Sequence, residues 1–332
     1  MRRSRGRWRR PWFGYVLPGA ALSLLACAGT PIEKTMGPLR EVTIISAQWD
    51  RLEATVRSIL QQPVPTPQLE PEFKIRLGDA GKFDTYSRFR IVFLIGTSQD
   101  TLIREILGPR ADSLSEGDFG LLKVPNPWFD NQFALIFVAR DTAKIEPGLL
   151  VYAGRIRQTL RDIVLGQMAR SVYIEGIERA PTEELGARDA FTIDIPRRWF
   201  VKTDNDSAHF IYLYGHNPDR TVFVHWEDTT RSLAPESLAV LRDRLTGRFF
   251  DGDSIDSEFL RAETIAFLAG PCVRLTGVWK NDRAVIGGAF VSYSFNFRGR
   301  FYMADGLVYN PGKPKLDALE QAEAVIRTLT PR

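Results

Sequence analysis

Cys27 closes a short apolar run, Leu24-Leu25-Ala26-Cys27, and its thiol is the group in this chain best placed for covalent chemistry. Six arginines stand among the first ten residues (Arg2, Arg3, Arg5, Arg7, Arg9, Arg10), and residues 12–26 carry no charge. A basic start, an uncharged stretch and small residues before a cleavage point make up an export signal. A cysteine at that point makes it the layout of a bacterial lipoprotein signal. The run of about fifteen apolar positions is short for a helix that must cross a bilayer core needing about twenty. Residues 1–26 therefore read as a signal peptide removed before Cys27, whose sulfur takes diacylglycerol and whose new amino group takes a further acyl chain such as palmitate. Leu25 and the interrupting Pro18 leave an ordinary secretory signal or a retained anchor as the competing reading. Ala28 after the cysteine, rather than Asp, points to the periplasmic face of an outer membrane.

Other chemistry-bearing residues are sparser. All three histidines, His209, His216 and His225, fall in one expected hairpin near Glu227 and Asp228, which suggests a metal site. Pairing Tyr214 with Thr221 across the turn sets His209 opposite Trp226, on the side of Ile211, Leu213, Val222 and Val224. His225 then points to the other side, and two ligands on opposite faces cannot share a metal. The expectation is no metal and no cofactor. Residues 251–258 are acidic but lack the ligand order and central glycine of a calcium loop, so they read as a solvated loop. Gly78-Asp79-Ala80-Gly81-Lys82-Phe83 has Phe where a phosphate loop needs Ser or Thr. With Cys27 acylated, Cys272 is the only thiol left; placed in a plausible strand, it reads as buried and inert rather than as a nucleophile.

The net charge of +4 belongs to the signal: removing its six arginines leaves the mature chain at −2. A basic stripe for nucleic acid is absent from that remainder, so no nucleic-acid partner is expected.

About 300 mature residues, 44% of the chain being apolar, suffice for two domains with separate cores. Residues 27–40, with Gly29, Pro31, Gly37 and Pro38, read as a flexible tether. From 41 to 178 strand and helix patterns alternate. The run at 42–45 is β-branched, those at 90–95 and 133–138 are near-continuously apolar, as in strands covered on both faces, and Trp49, Leu52, Val56, Ile59 and Leu60 recur at helical spacing. A long helix follows with Leu149, Ala153, Ile156, Leu160, Ile163 and Met168 on one side. The charged stretch 176–188, holding Pro181 and Gly186, reads as the domain boundary. From 188 to 332 the pattern turns to hairpins: strands flanking a turn at 215–220, a helix carrying Leu238, Leu241, Leu245 and Phe249, then strands at 273–279, 285–297 and 300–309. Along 285–297, Val285, Ala289, Val291, Tyr293, Phe295 and Phe297 share a buried face, and Ser292, Ser294 and Asn296 a wetter one. A closing helix with Leu316, Leu319, Ala322, Ile326 and Leu329 would cover the buried face. The fold class is α/β (α+β): two layered α/β domains, the second an antiparallel sheet with covering helices.

Four segments in order carry a family resemblance: the stretch 63–73 with Pro63, Pro65, Pro67, Glu70 and Phe73; Asn126-Pro127-Trp128-Phe129-Asp130-Asn131-Gln132; Gly277-Val278-Trp279-Lys280-Asn281-Asp282 followed by Gly287-Gly288; and Val308-Tyr309-Asn310-Pro311. From about Arg40 to Thr330 the chain resembles the domain of unknown function 4837 family of bacterial envelope lipoproteins. It departs by Ala289 where that pattern more often has proline and by Ile286 where it often has methionine. The resemblance implies an envelope location and transfers no catalytic residue. The second half is also similar to the PsbP-like α/β/α fold, through a strand opening with Pro196 and Trp199, a hairpin, a helix, antiparallel strands and a closing helix.

The candidate binding surface is Pro65, Pro67, Glu70, Trp128, Trp279 and Asp282, a rigid proline loop and aromatic anchors meeting at one cleft. The expected function is a non-enzymatic binding or assembly module, anchored to a membrane through Cys27, with an envelope protein as partner. The alternative is an envelope hydrolase with a site at the domain junction.

Overall fold

The computed structural model describes residues 35–188 and 191–332, and the chain divides into two compact units. The first is formed by chain up to Gln62 together with Glu72–Arg161, the second by Pro63–Pro71 and Asp162–Arg332. Chain order begins β1 (Glu41–Ile45), α1 (Trp49–Leu60), then β2 (Pro63–Val64) and β3 (Glu70–Pro71), a short hairpin that counts with the second unit. β4 (Lys74–Gly78), α2 (Phe83–Tyr86), β5 (Ile91–Thr97), α3 (Thr101–Leu107), α4 (Arg110–Ser115), β6 (Phe119–Pro125), β7 (Phe133–Ala139), α5 (Ile145–Val151) and α6 (Ala153–Val172) follow.

The first unit's sheet runs β4-β1-β5-β7-β6, parallel except where β6 meets β7. Every residue of β5 is buried, so the alternating side chains need cover on both faces. α3 and α4 cover the face of Ile45, Val92, Leu94, Ile136 and Val138. α5 lies on β5, β6 and β7. A carboxylate anchors the unit's last helix: Glu72, 5% exposed, accepts from Arg157 (2.7 and 3.0 Å) and from Arg161 (2.9 Å) of α6. Arg40 donates to its carbonyl at 2.7 Å.

The second unit adds α7 (Arg179–Arg188), β8 (Phe191–Thr192), β9 (Phe200–Asn205), β10 (Phe210–Gly215), β11 (Asp219–Glu227), α8 (Pro235–Phe249), β12 (Ser254–Phe267), β13 (Gly270–Asn281), β14 (Ile286–Phe297), β15 (Arg300–Tyr309), α9 (Leu316–Ile326) and β16 (Thr330–Pro331). Its sheet is antiparallel throughout, in the order β12-β13-β14-β15-β11-β10-β9. One face, with Val222, Val224, Ala289, Val291, Tyr293 and Ala304, is covered by α9, whose Leu319, Ala322, Val325 and Ile326 are buried, and by Leu185 of α7. Each such aliphatic side chain, fully buried, contributes roughly 1.5–3 kcal/mol. The other face, with Phe210, Phe223, Phe290 and Met303, lies under Leu238, Leu241 and Leu245 of α8. The sheet is thus a middle layer between helices.

Three features depart from the sequence expectation. The division falls between Arg161 and Asp162, inside α6, and the charged stretch at 176–188 is largely the helix α7. Pro181 sits in the first turn of that helix, where a missing amide donor costs little, and Leu185 is buried. Ser292 and Ser294 are wholly buried instead of wet, because α8 covers their face. Residues 251–258 are not one solvated loop: Asp253 is 8% exposed and β12 begins at Ser254. The closing helix covers the face assigned to it.

Candidate functional site

Cys27 lies outside the described residues. The hairpin that holds Pro65, Pro67 and Glu70 is shaped by its carboxylate. Glu70 accepts from the amides of Lys315 (2.6 Å) and Leu316 (3.3 Å) at the start of α9 and from Thr66 Oγ1 at 3.0 Å. Unpaired amides at a helix N-terminus favour a carboxylate, so Glu70 caps α9 from outside the helix. Pro67 remains exposed and Pro65 is half-buried.

The two tryptophans serve different cores. Trp128, in the first unit, meets Phe83 edge-on at 5.1 Å and packs against the cluster under α3 and α4. Its amide and that of Phe129 donate to Oε1 of the buried Gln132 (3.3 and 3.2 Å), which in turn donates to the carbonyl of Phe89 at 2.7 Å. The 126–132 segment is therefore a self-bonded loop. Trp279, in the second unit, is 4% exposed and donates from Nε1 to the Val308 carbonyl at 3.3 Å. A Cβ on Gly288 would come within 1.8 Å of that carbonyl oxygen and 2.7 Å of Nε1, so the glycine makes room for the indole. As a core residue Trp279 offers nothing to a partner, which removes it from the expected surface. Asp282 is exposed in the turn after β13, 3.7 Å from Lys280 Nζ. Trp128 thus belongs to the first unit, and the hairpin, Trp279 and Asp282 to the second.

The hairpin register is the one read from sequence: Tyr214 pairs with Thr221 and Phe210 with His225. His209 stacks on Trp226 at 5.2 Å, and His225, 8% exposed, shares Nδ1 with the His209 carbonyl at 3.0 Å. Burial is the largest influence on His225 and holds its pKa below the ordinary value, although Glu227 and the carbonyl pull the other way. Among the described residues no three His, Cys, Asp or Glu side chains gather to hold a metal. Cys272 is fully buried, and burial pushes its thiol up to about 12, far from the thiolate that nucleophilic attack needs. Asp79 accepts from the Gly81 amide at 2.8 Å, closing a turn where a phosphate loop would leave that amide open.

Sequence reasoning missed two buried ionic clusters and one groove. Under α8, Arg242 and Asp305 pair at 2.7 and 3.2 Å with both side chains fully buried, and the guanidinium lies 3.7 Å from the Phe290 ring centroid. Under α9, the 2% exposed Glu323 accepts from Arg274 (3.0 and 2.9 Å) and from Tyr293 Oη (2.6 Å). Both clusters tie a covering helix to the sheet.

The groove lies between α7 and β9 and has a volume of about 300 Å³. Its floor is apolar, with Leu185, Trp199 and Val201, and its acidic side chains are Glu178, Glu184 and Asp204. Glu178 accepts from the Arg198 amide at 3.0 Å, and a bridge between Ile177 and Pro196 sets the approach to α7. Phe200, 42% exposed, stands edge-on to Tyr214 at 5.6 Å. β9 ends the sheet, so its outer backbone edge has no strand neighbour among the described residues. A second hollow, of about 330 Å³, lies between α6 and α9 beside Gly166, Ala169 and Ala324; it has helices on both sides and no strand edge.

Residues 178–328 match the family model described as Domain of unknown function (DUF4837). That span takes in α7, the sheet, α8, α9 and the groove, whereas the 63–73 and 126–132 segments lie outside it. No curated protein matches the chain. Among solved structures, the cyanobacterial PsbP (CyanoP) of Synechocystis sp. is 12% identical with a TM-score of 0.31, over 44% of this chain and 88% of that one. LpqN of Mycobacterium tuberculosis, described as involved in cell envelope biogenesis, is 11% identical with a TM-score of 0.28, over 42% and 83%. A Bacteroides thetaiotaomicron protein is 13% identical with a TM-score of 0.27, and the match spans 43% of this chain and less than half, 45%, of that one.

Proposed function

We propose that this protein is a lipid-anchored binding module of the bacterial envelope, held through acylated Cys27 at the periplasmic face of the outer membrane, which docks a protein partner and turns over no substrate. The carrying observation is the groove between α7 and β9. Its lining combines the apolar side chains of Leu185, Trp199, Phe200 and Val201 with the carboxylates of Glu178, Glu184 and Asp204, the mixed apolar and polar surface that a docked protein segment covers. Among the described residues, Cys272 is buried, His209 is stacked on Trp226 and His225 is bonded to backbone, while His216 is exposed beside Asp219 at 3.4 Å. Anchoring is supported by Leu24-Leu25-Ala26-Cys27 after an arginine-rich start, and a mature charge of −2 disfavours nucleic acid as the partner.

Two measurements in the host test this reading. Labelled palmitate enters the wild-type chain and not Cys27→Ala, and the variant leaves the membrane fraction. A photo-crosslinker replacing Phe200 yields one defined envelope protein from detergent-solubilised membranes, and one replacing exposed Val285 does not yield it. Equal labelling of Cys27→Ala, or no crosslinked partner together with reproducible hydrolysis of an envelope substrate, overturns the proposal.

A further inference from the structure

We infer that the first unit contacts an anionic phospholipid leaflet through the amino ends of its parallel strands; this depends on the anchoring through Cys27 proposed above. The point where the chain enters that unit is fixed. Met36 donates its amide to the Arg88 carbonyl at 2.9 Å, and its own carbonyl accepts from the Arg90 amide at 3.1 Å, which ties it beside the start of β5. Arg90 Nε donates to the Gly37 carbonyl at 2.8 Å. The chain from Cys27 to Thr35 reaches about 29 Å at full extension. An acylated Cys27 therefore attaches at the amino end of the sheet. The other end of β5 (Ile91–Thr97) lies about 20 Å further on, at about 3.3 Å per residue.

Charge distinguishes the two ends of this sheet. At the amino end, exposed Lys74 stands in register with Glu41, and the ammonium of exposed Lys123 lies 5.3 Å from the Phe133 ring at the start of β7. Arg90 immediately precedes β5. Arg88 lies over Phe129 at 5.7 Å and Arg76 over Phe89 at 4.4 Å. Against these cations stand Glu41, which pairs with Arg76 at 2.6 Å, and exposed Asp130. Glu72 is buried and already held by Arg157 and Arg161. Met36, 44% exposed, and the half-buried Phe129 add apolar surface among them. At the carboxyl end, Asp79, Asp100, Glu116, Asp118 and Asp141 flank the strand ends and outnumber Arg140 and Lys144, which Asp118 holds at 3.2 and 3.0 Å. The start of α1 adds one charge of each sign, Asp50 and Arg51. Anionic headgroups attract the first end and repel the second. Lys74 and Lys123 can extend their ammonium groups to phosphates while their stems stay on the protein, and Met36 suits the boundary between headgroups and acyl chains. The acyl chains hold the protein at the leaflet, and the cations set which end of the first unit faces it.

The test separates this contact from the anchor by using the mature chain with Cys27→Ala, which carries no acyl group at that position. It is mixed with vesicles of phosphatidylcholine alone or with about one third phosphatidylglycerol. The chain floats with the anionic vesicles at low salt, and with neither kind at high salt. Lys74→Gln with Lys123→Gln weakens that flotation about tenfold or more, while the melting curve stays in place. Lys280→Gln with Arg283→Gln, an equal loss of charge in the exposed turn after β13, leaves it unchanged. In the lipidated chain on the same anionic vesicles, a nitroxide on Asp130→Cys is relaxed by nickel-chelating headgroups and one on Glu116→Cys is not; Cys272 is buried and takes no label. Equal flotation on neutral vesicles, no flotation, equal losses in the two double variants, or stronger relaxation at position 116 overturns the inference. If palmitate labelling still depends on Cys27, any of these removes the leaflet contact alone. Anionic flotation with no palmitate labelling removes the anchor instead.

Discussion

Replacing Arg242 with Met separates a structural cation from its anion without opening a large hole. In the native chain Nε and Nη2 clamp the two oxygens of Asp305 at 2.7 and 3.2 Å, both side chains are fully buried, and Phe290 lies under the guanidinium at 3.7 Å. Arg242 Nη1 has no partner, so the cation is not fully satisfied even when paired. In Arg242→Met the Asp305 carboxylate is left dry and alone, a change that costs about 3–5 kcal/mol. At about 2–4 °C per kcal/mol for a body of this size, the melting temperature falls by about 6–20 °C. Burial already pushes the Asp305 carboxyl up, against the opposing pull of Arg242, and removing Arg242 raises it further. A carboxyl whose folded pKa lies above its unfolded value imposes its full penalty above the folded pKa. The penalty is relieved as pH falls toward the unfolded value near about 4, so the loss caused by Arg242→Met is larger at pH 7 than at pH 5. Combined Arg242→Met and Asp305→Leu regains most of the loss, since an apolar replacement of a buried pair is often neutral or better. Urea unfolding of the four proteins of this cycle at both pH values supplies the numbers. A single substitution costing under about 1 kcal/mol, or a double variant no better than the worse single, would refute the assignment of this pair as the tie between α8 and the sheet.

Glu323 titrates in the opposite sense. Burial alone would raise its carboxyl, but Arg274 and Arg327 outweigh this and hold it below the usual range. Its contribution is therefore complete above the unfolded carboxylate value of about 4.3 and disappears as pH falls through the folded value. Glu323→Gln should lower stability by about 1–3 kcal/mol at pH 7, with the gap to wild type narrowing below about pH 4, read from urea midpoints. Gly288→Ala forces a methyl onto the Val308 carbonyl and the Trp279 indole, at or above the roughly 1–3 kcal/mol typical of overpacking. Gly247→Ala in α8 meets open space and should stabilise by about 0.5–1 kcal/mol; thermal melts of the two variants should move in opposite directions. Glu70→Ala removes a cap and should cost about 0.5–2 kcal/mol, with faster amide exchange at Lys315 and Leu316.

Local patterns carried much of the second unit. The hairpin register followed from one turn length, and the apolar stripe of α9 named both the helix and the face it covers. The buried pairs left a trace that binary patterning passes over. Arg242 stands on the same stripe as Leu238, Leu241 and Leu245, and Glu323 on that of Leu319, Ala322 and Ile326. A lone charge on an apolar stripe calls for an opposite charge on the strand beneath, which Asp305 and Arg274 supply. Ser292 and Ser294 read as wet because alternation reports polarity, and polarity on a strand does not say whether a helix lies above it. Trp279 read as an anchor for the same reason: the adjacent glycine pair was visible, but that it receives this indole follows from the β13–β14 register.

The groove was out of reach of local reading because it depends on which strand ends the sheet. β9 alternates between exposed and half-buried positions, a pattern compatible with an edge or with a strand inside a sheet wet on one face. It becomes an edge only because β11 pairs on its far side with β15, some eighty residues later in the chain, which directs the rest of the sheet away from it. α7 then turns an edge into a channel, although its proline, glycine and charges resemble a linker. Helical structure here rests on the docking of Leu185 against the core that includes Phe191 and Trp226, and that contact exists only once the sheet is formed. The acidic side chains of the groove come from both elements, Glu178 and Glu184 at α7 and Asp204 on β9, so its charge arises from tertiary folding and from no single run of sequence.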